Sequence, residues 1–217
     1  MSSEFFLTES GEKSELRKYY EFVWHPADQM HPTWWEKLGL KQWKSCFRTS
    51  PVLSERIETL IVKRMGIVKE PLPLTLSDND KFLLSIKERL PSLMVILGIF
   101  CMNCPEYLSL KEYRTALADL LTEEQIQQAW ALWPQRPTAE QKESLDKQSV
   151  DKLIINAQVI ALLMLNKEMK DDKIWRALAM TLPISVNGDD EASIAEYQSS
   201  ISVLNLKRWL LRLERML

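Results

Sequence analysis

Leu93-Met94-Val95-Ile96-Leu97-Gly98-Ile99-Phe100-Cys101-Met102 is the longest nearly pure apolar run in the chain, and its reading decides the fold. Ten helical residues rise about 15 Å, half of the ~30 Å hydrocarbon layer of a bilayer. The run is too short to span a membrane. It reads as a helix buried on every side. Pro91 restarts the chain just ahead of it, at a first-turn position where the missing N–H is no loss.

Outward from this helix the punctuation stays helical. Ser50-Pro51 places a capping residue before a proline, and Val52, Ile57, Leu60 and Ile61 follow at helical spacing until Gly66. Ser77 opens a segment carrying Phe82, Leu83, Ile86 and Leu90. Ser109 with Glu112, and Thr122 with Gln125, have capping-box spacing. The second box leads through Ile126, Ala129 and Trp130 to Pro134. Thr138 is expected to cap a longer pattern that breaks near Ser149. That pattern resumes through Leu153, Ile154, Ala157, Ile160, Ala161, Met164 and Leu165. Asp171 or Asp172 caps a helix with Ile174, Trp175, Leu178 and Leu182, stopped by Pro183. Asn187-Gly188 marks a turn. A last helix is expected from about Ala192 onward, through Ile194, Tyr197, Ile201, Leu204, Trp209 and Leu213. No stretch alternates apolar and polar residues as a strand does. The expectation is an all-α fold without a sheet: one irregular, bundle-like domain over residues 1–217, with residues 1–19 loosely ordered.

Composition narrows the function classes. The chain of 217 residues has only 5 Gly, where average usage gives about 15. Tight left-handed turns and backbone cradles for phosphate need glycine, so nucleotide enzymes are disfavoured. A net charge of -2 offers no strong field for nucleic acid. The first residues lack a basic start followed by an apolar stretch, so no secretory signal is expected. Three cysteines, an odd number, fit a reducing compartment.

Catalytic equipment is sparse. Cys101-Met102-Asn103-Cys104 has redox spacing but closes an apolar helix instead of opening one beside strands. His25 and His31, with Cys101 and Cys104, would make a two-thiolate, two-imidazole zinc set, in reversed order from familiar zinc fingers. No G-x-S-x-G elbow occurs. Each histidine precedes a proline, which makes it a turn candidate before a general base. Asp189-Asp190-Glu191 and Ser77-Asp78-Asn79-Asp80 read as acids in a helix first turn. Lys207 to Leu217 is basic and apolar. It reads as a terminal helix docked on the core, with a partner helix or anionic lipid as alternatives. Eight tryptophans stand out, with Trp24, Trp34, Trp35 and Trp43 early. Most are expected in the core, but adjacent rings on a helix diverge, which makes one of Trp34 and Trp35 a candidate for the surface.

At Phe22-Val23-Trp24-His25-Pro26-Ala27-Asp28-Gln29-Met30-His31-Pro32-Thr33-Trp34-Trp35 the sequence resembles the SctK family of type III secretion systems, which includes YscK, PscK, OrgA and MxiK. Members share an early aromatic, a proline, a histidine-proline five residues on, and large apolar residues after it. Pro26, His31 and Pro32 match that pattern, while Gln29 stands where many members have tyrosine. Leu93 to Met102 resembles the family's apolar central helix. Ala131-Leu132-Trp133-Pro134 and Trp175-Arg176-Ala177-Leu178 through Leu182-Pro183 are similar to later shared stretches.

The resemblance implies a non-enzymatic, cofactor-free adaptor of the sorting platform at the cytoplasmic face of the bacterial inner membrane. It would join the cytoplasmic domain of an SctD-like inner-membrane ring protein to an SctQ-like pod protein, leading on to SctL and the ATPase. No nucleic acid and no membrane span are implied. The matching motif gives the expected partner-binding residues Pro26, His31, Pro32, Trp34, Trp35 and Leu38, a stiff ledge framed by prolines. On that view Trp34→Ala or Trp35→Ala would weaken association and leave the fold intact. The rival reading is that the motif only packs the N-terminal helices. Other classes are a helical metal-binding regulator or small enzyme using His25, His31, Cys101 and Cys104, and a dimeric chaperone for one secreted protein.

Overall fold

The computed structural model describes residues 3–68, 71, 73–133, 149–184 and 205–216, with side chains from residue 14 onward. Among the described residues every regular element is helical. In chain order they are α1 (Ser3–Trp24), α2 (Pro32–Lys37), α3 (Pro51–Arg64), α4 (Asp78–Ser85), α5 (Leu90–Met102), α6 (Glu106–Ser109), α7 (Lys111–Leu117), α8 (Glu123–Ala131), α9 (Val150–Glu168), α10 (Lys173–Ala179) and α11 (Leu206–Met216). Short 3-10 turns at Pro26–Asp28 and Lys41–Cys46 separate the early helices. None of the described helices is long and apolar enough to cross a membrane. Helix α1 begins at Ser3. Pro134, the Thr138 cap, Asn187-Gly188, the acidic run Asp189–Glu191 and residues 192–204 of the expected last helix lie outside the described residues.

The chain divides into two compact units, each built from separate stretches. The first comprises Met1–Glu88 and Lys170–Val186. In it α1 packs on α10 and α4, and α3 packs on both 3-10 turns. Its core holds Tyr19, Phe22, Trp34, Trp35, Leu40, Ile57, Ile61, Leu83 and Trp175. The Arg176 guanidinium ties it together, donating to the carbonyls of Lys170 (2.6 Å) and Gly66 (2.5 Å). Gly66 ends the α3 turn at φ +64, and a Cβ there would press into that guanidinium.

The second unit comprises Arg89–Met169 and Asn187–Leu217. α5 is its axis. Every residue from Leu93 to Met102 is buried, as an all-apolar helix requires. α9 lies along α5, and α11 packs on both. The approach is close because Gly98 faces the backbone of Ala157, where a Cβ would overlap it. The terminal helix is thus docked on its own core, through Leu206, Leu210 and Leu213.

The capping signals divide. Thr122 and Gln125 form the full box, and so do Ser77 and Asp80. Asp172, not Asp171, caps α10, accepting from Trp175 N–H at 2.9 Å. The Ser109–Glu112 box is not formed. Ser109 is the last residue of α6, and its hydroxyl donates back to Glu106 O at 3.3 Å. Pro105 has started a one-turn helix upstream, so Ser109 is already helical and bonds within its own turn. Leu110 takes the cap position of α7 with no side-chain bond.

Candidate functional site

The His25–Leu38 segment is assembled by proline geometry. Pro26 starts a 3-10 turn, and the Ala27 N–H that this turn exposes is donated to Glu58 Oε1 at 3.0 Å. Glu58, held on α3, is the buried charged side chain among the described residues. His31 is extended (φ -60, ψ 141), as a residue before proline should be. His25 is not: its ψ of 51 falls short of the extended range, because it continues from α1 straight into the turn.

His31 then serves as the α2 cap. Its Nδ1 accepts from Thr33 N–H at 3.3 Å and lies 2.9 Å from the Thr33 hydroxyl. That hydroxyl oxygen accepts Ile184 N–H at 3.0 Å, so its own proton is directed at Nδ1. Both bonds need a neutral imidazole acceptor. Burial, with Lys44 adding repulsion, holds the His31 pKa below its ordinary 6.5. The backbone N–H of His31 is given to Met180 O at 2.8 Å. Trp34 Nε1–H is donated to Leu182 O at 2.9 Å. Three tethers therefore join the motif to residues 180–184.

The expectation of one exposed ring in the Trp34–Trp35 pair is overturned. Trp34 is 5% exposed and Trp35 4%. The rings do diverge, but chain lies on both sides of α2. Trp34 meets residues 180–184, and Trp35 packs on Phe47, with ring centroids 5.4 Å apart. Pro26 is also buried, His31 and Leu38 are half-buried, and Pro32 is exposed. Leu38 contributes its carbonyl, which accepts from Arg64. Pro26, Trp34 and Trp35 are thus packed inside the first unit.

The exposed aromatic in this segment is Trp43, at 41%. It stands on the Lys41–Cys46 turn between exposed Lys41 and Lys44, with exposed Lys37 and Arg48 at either end. From Lys37 to Ser54 there is no acidic residue. Lys41 pairs with Glu36, and Arg48 with Asp28. The sequence signal was present in the local excess of cations around a tryptophan, but a residue in a 3-10 turn has no helical face from which to read exposure.

The His–Cys set finds no support. His25 Nε2 lies 3.2 Å from the Tyr20 hydroxyl, and His31 is committed to Thr33. Cys101 is fully buried on α5, and that burial pushes its thiol up to about 12, away from the thiolate that a metal or redox site needs. Cys104 Sγ donates to Glu106 at 3.3 Å. Among the described residues no three His, Cys, Asp or Glu side chains gather as a metal site.

A family model for a type III secretion system subunit matches residues 17–184. The chain belongs to that family. Neither a curated protein nor a solved structure matches it. In this type III secretion subunit the match runs from α1 to Ile184, the residue whose N–H closes on Thr33. It therefore contains the whole motif together with its distant tethers.

Proposed function

We propose that this type III secretion subunit is SctK-like: a non-enzymatic sorting-platform adaptor on the cytoplasmic face of the inner membrane. It joins an SctD-like ring protein to an SctQ-like pod protein, and through the latter to SctL and the ATPase. The observation that carries this reading is the His-Pro ledge. The prolines stiffen its backbone, three long-range hydrogen bonds tether it to residues 180–184, and beside it an exposed tryptophan stands within a cationic rim. A preorganised aromatic loses little freedom on binding, and tryptophan and cations dominate protein interfaces.

In this reading the partner-binding surface is the ledge of His31, Pro32 and Leu38 extended to Trp43. The buried Pro26, Trp34 and Trp35 support it from below. Co-expression with SctD-like cytoplasmic domain and SctQ-like protein tests it. Wild type should recover both, and Trp43→Ala with Lys44→Ala should lose at least one at unchanged melting temperature. Wild type that recovers neither partner would end the adaptor reading. Full recovery by the variant would remove the ledge from it.

A further inference from the structure

Helix α11 is held by one face and presents the other to solvent. Leu206, Leu210 and Leu213 are buried, and Glu214 is turned to an ion pair with Arg89 at 2.5 Å. On the opposite side Arg208, Arg212 and Arg215 are exposed. Residues three and four apart are helical neighbours, so these cations form one stripe. The Arg212 guanidinium lies 4.9 Å above the Trp209 ring, which is itself set edge-on against Phe100 at 5.8 Å. A groove of about 680 Å³ borders the stripe, its described lining including Asn205, Trp209 and Met216. Among the described residues no carboxylate pairs with these three arginines. The stripe lies outside residues 17–184, so the family match does not account for it.

Two kinds of anionic surface compete for such a stripe. A membrane-bound amphipathic helix sinks its apolar face into the headgroup region. Here that face is occupied by α5 and α9, which leaves lipid only a screened electrostatic attraction. Guanidinium forks, in contrast, match carboxylates bidentately. From Arg208 to Arg215 the stripe rises about 10 Å, the same pitch that a partner helix offers. The geometry points to α11 as a docking site for an acidic helical segment of another protein. Its carboxylates, three and four residues apart, meet the three arginines, and an apolar side chain lies against Trp209 and Met216. This surface belongs to the second unit, and the proposal does not depend on the adaptor reading.

The test uses the full chain and a fluorescein-labelled helical peptide with glutamates at i, i+4 and i+7. Two comparisons accompany it: an isomer with the same glutamates spread around the helix, and phosphatidylcholine–phosphatidylserine vesicles. Anisotropy should show the patterned peptide binding several-fold tighter than its isomer. Replacing all three arginines by glutamine should weaken it by about tenfold, three exposed pairs' worth. The same change at exposed Lys111, Lys152 and Lys167 should leave it within about twofold, since it alters only net charge. Should the triple arginine variant melt early, Arg208→Gln with Arg215→Gln, which spares the Arg212–Trp209 contact, gives the same reading. Equal binding of the two peptides, or equal loss in the lysine control, overturns the proposal. Binding to vesicles but not to the patterned peptide does so too. Peptide binding that appears only after Asp189, Asp190, Glu191 and Glu196 become amides would assign the face to the chain's own acidic stretch, and overturns it as well.

Discussion

Trp34 makes one hydrogen bond across 148 positions of sequence, to the Leu182 carbonyl. Trp34→Phe keeps most of the ring and leaves that buried carbonyl unpaired, so urea denaturation should show a loss of about 1–3 kcal/mol. Trp34→Ala adds a cavity and should lose about 3–5 kcal/mol. That replaces the expectation that such a variant folds normally. His31 gives a pH signature. Its folded pKa lies below 6.5, so the unfolded chain takes up the proton first. The stability it contributes is whole above about pH 6.5 and is lost as pH falls toward the lower folded value. His31→Asn keeps a capping acceptor without a titrating group. The melting-temperature gap between wild type and variant should therefore move against wild type on going from about pH 7.5 to about pH 5.5. A gap that does not change over this range would show that His31 is not the titrating group.

At the scale of elements, the α5–α9 crossing depends on one missing side chain. Gly98→Ala would drive a methyl into the Ala157 backbone, which cannot rotate away. A loss of about 3 kcal/mol or more in chemical denaturation is expected, although alanine is the better helix former. Helix α11 depends on its start. The Glu168 carboxylate accepts the N–H groups of Leu206 and Lys207 at 2.9 and 3.2 Å, and Asn205 Oδ1 accepts that of Arg208. Glu168→Ala should cost about 1 kcal/mol and speed hydrogen exchange at those two amides, with the α5 amides unchanged. Elements of this kind were unequally legible. α5 could be read because composition alone forces its burial, and the Thr122 box because both partners lie within one turn. The Ser109 box misled because identical spacing arises inside a helix begun one turn earlier. Gly98 and Glu168 act through partners that are 59 and 38–39 positions away respectively, which local pattern does not encode.

For the whole molecule, the sequence carried the helical class and the secretion-system kinship, since both rest on patterns spread along the chain. It carried less of the ledge. Spacing says that two neighbouring rings diverge. It does not say that protein waits on either side, and so one ring of the Trp34–Trp35 pair was offered to the surface while Trp43 went unchosen. The division into two units was legible only in part: the boundary at Val186–Asn187 falls at the Asn187-Gly188 turn signal, whereas those at Glu88–Arg89 and Met169–Lys170 carry no such mark. A complete ledge should matter for assembly. Variants that loosen the tethers, such as Thr33→Val, should reduce co-recovery of platform proteins in proportion to their loss of stability. Trp43→Ala should reduce it with no such loss.

The first unit takes its last pieces from Lys170–Val186. On the ribosome, the N-terminal segment must therefore wait while more than half the polypeptide emerges before Met180, Leu182 and Ile184 arrive to close it. Until then Trp34 is uncovered on a nascent chain, a window in which a chaperone or an early-bound assembly partner would find it.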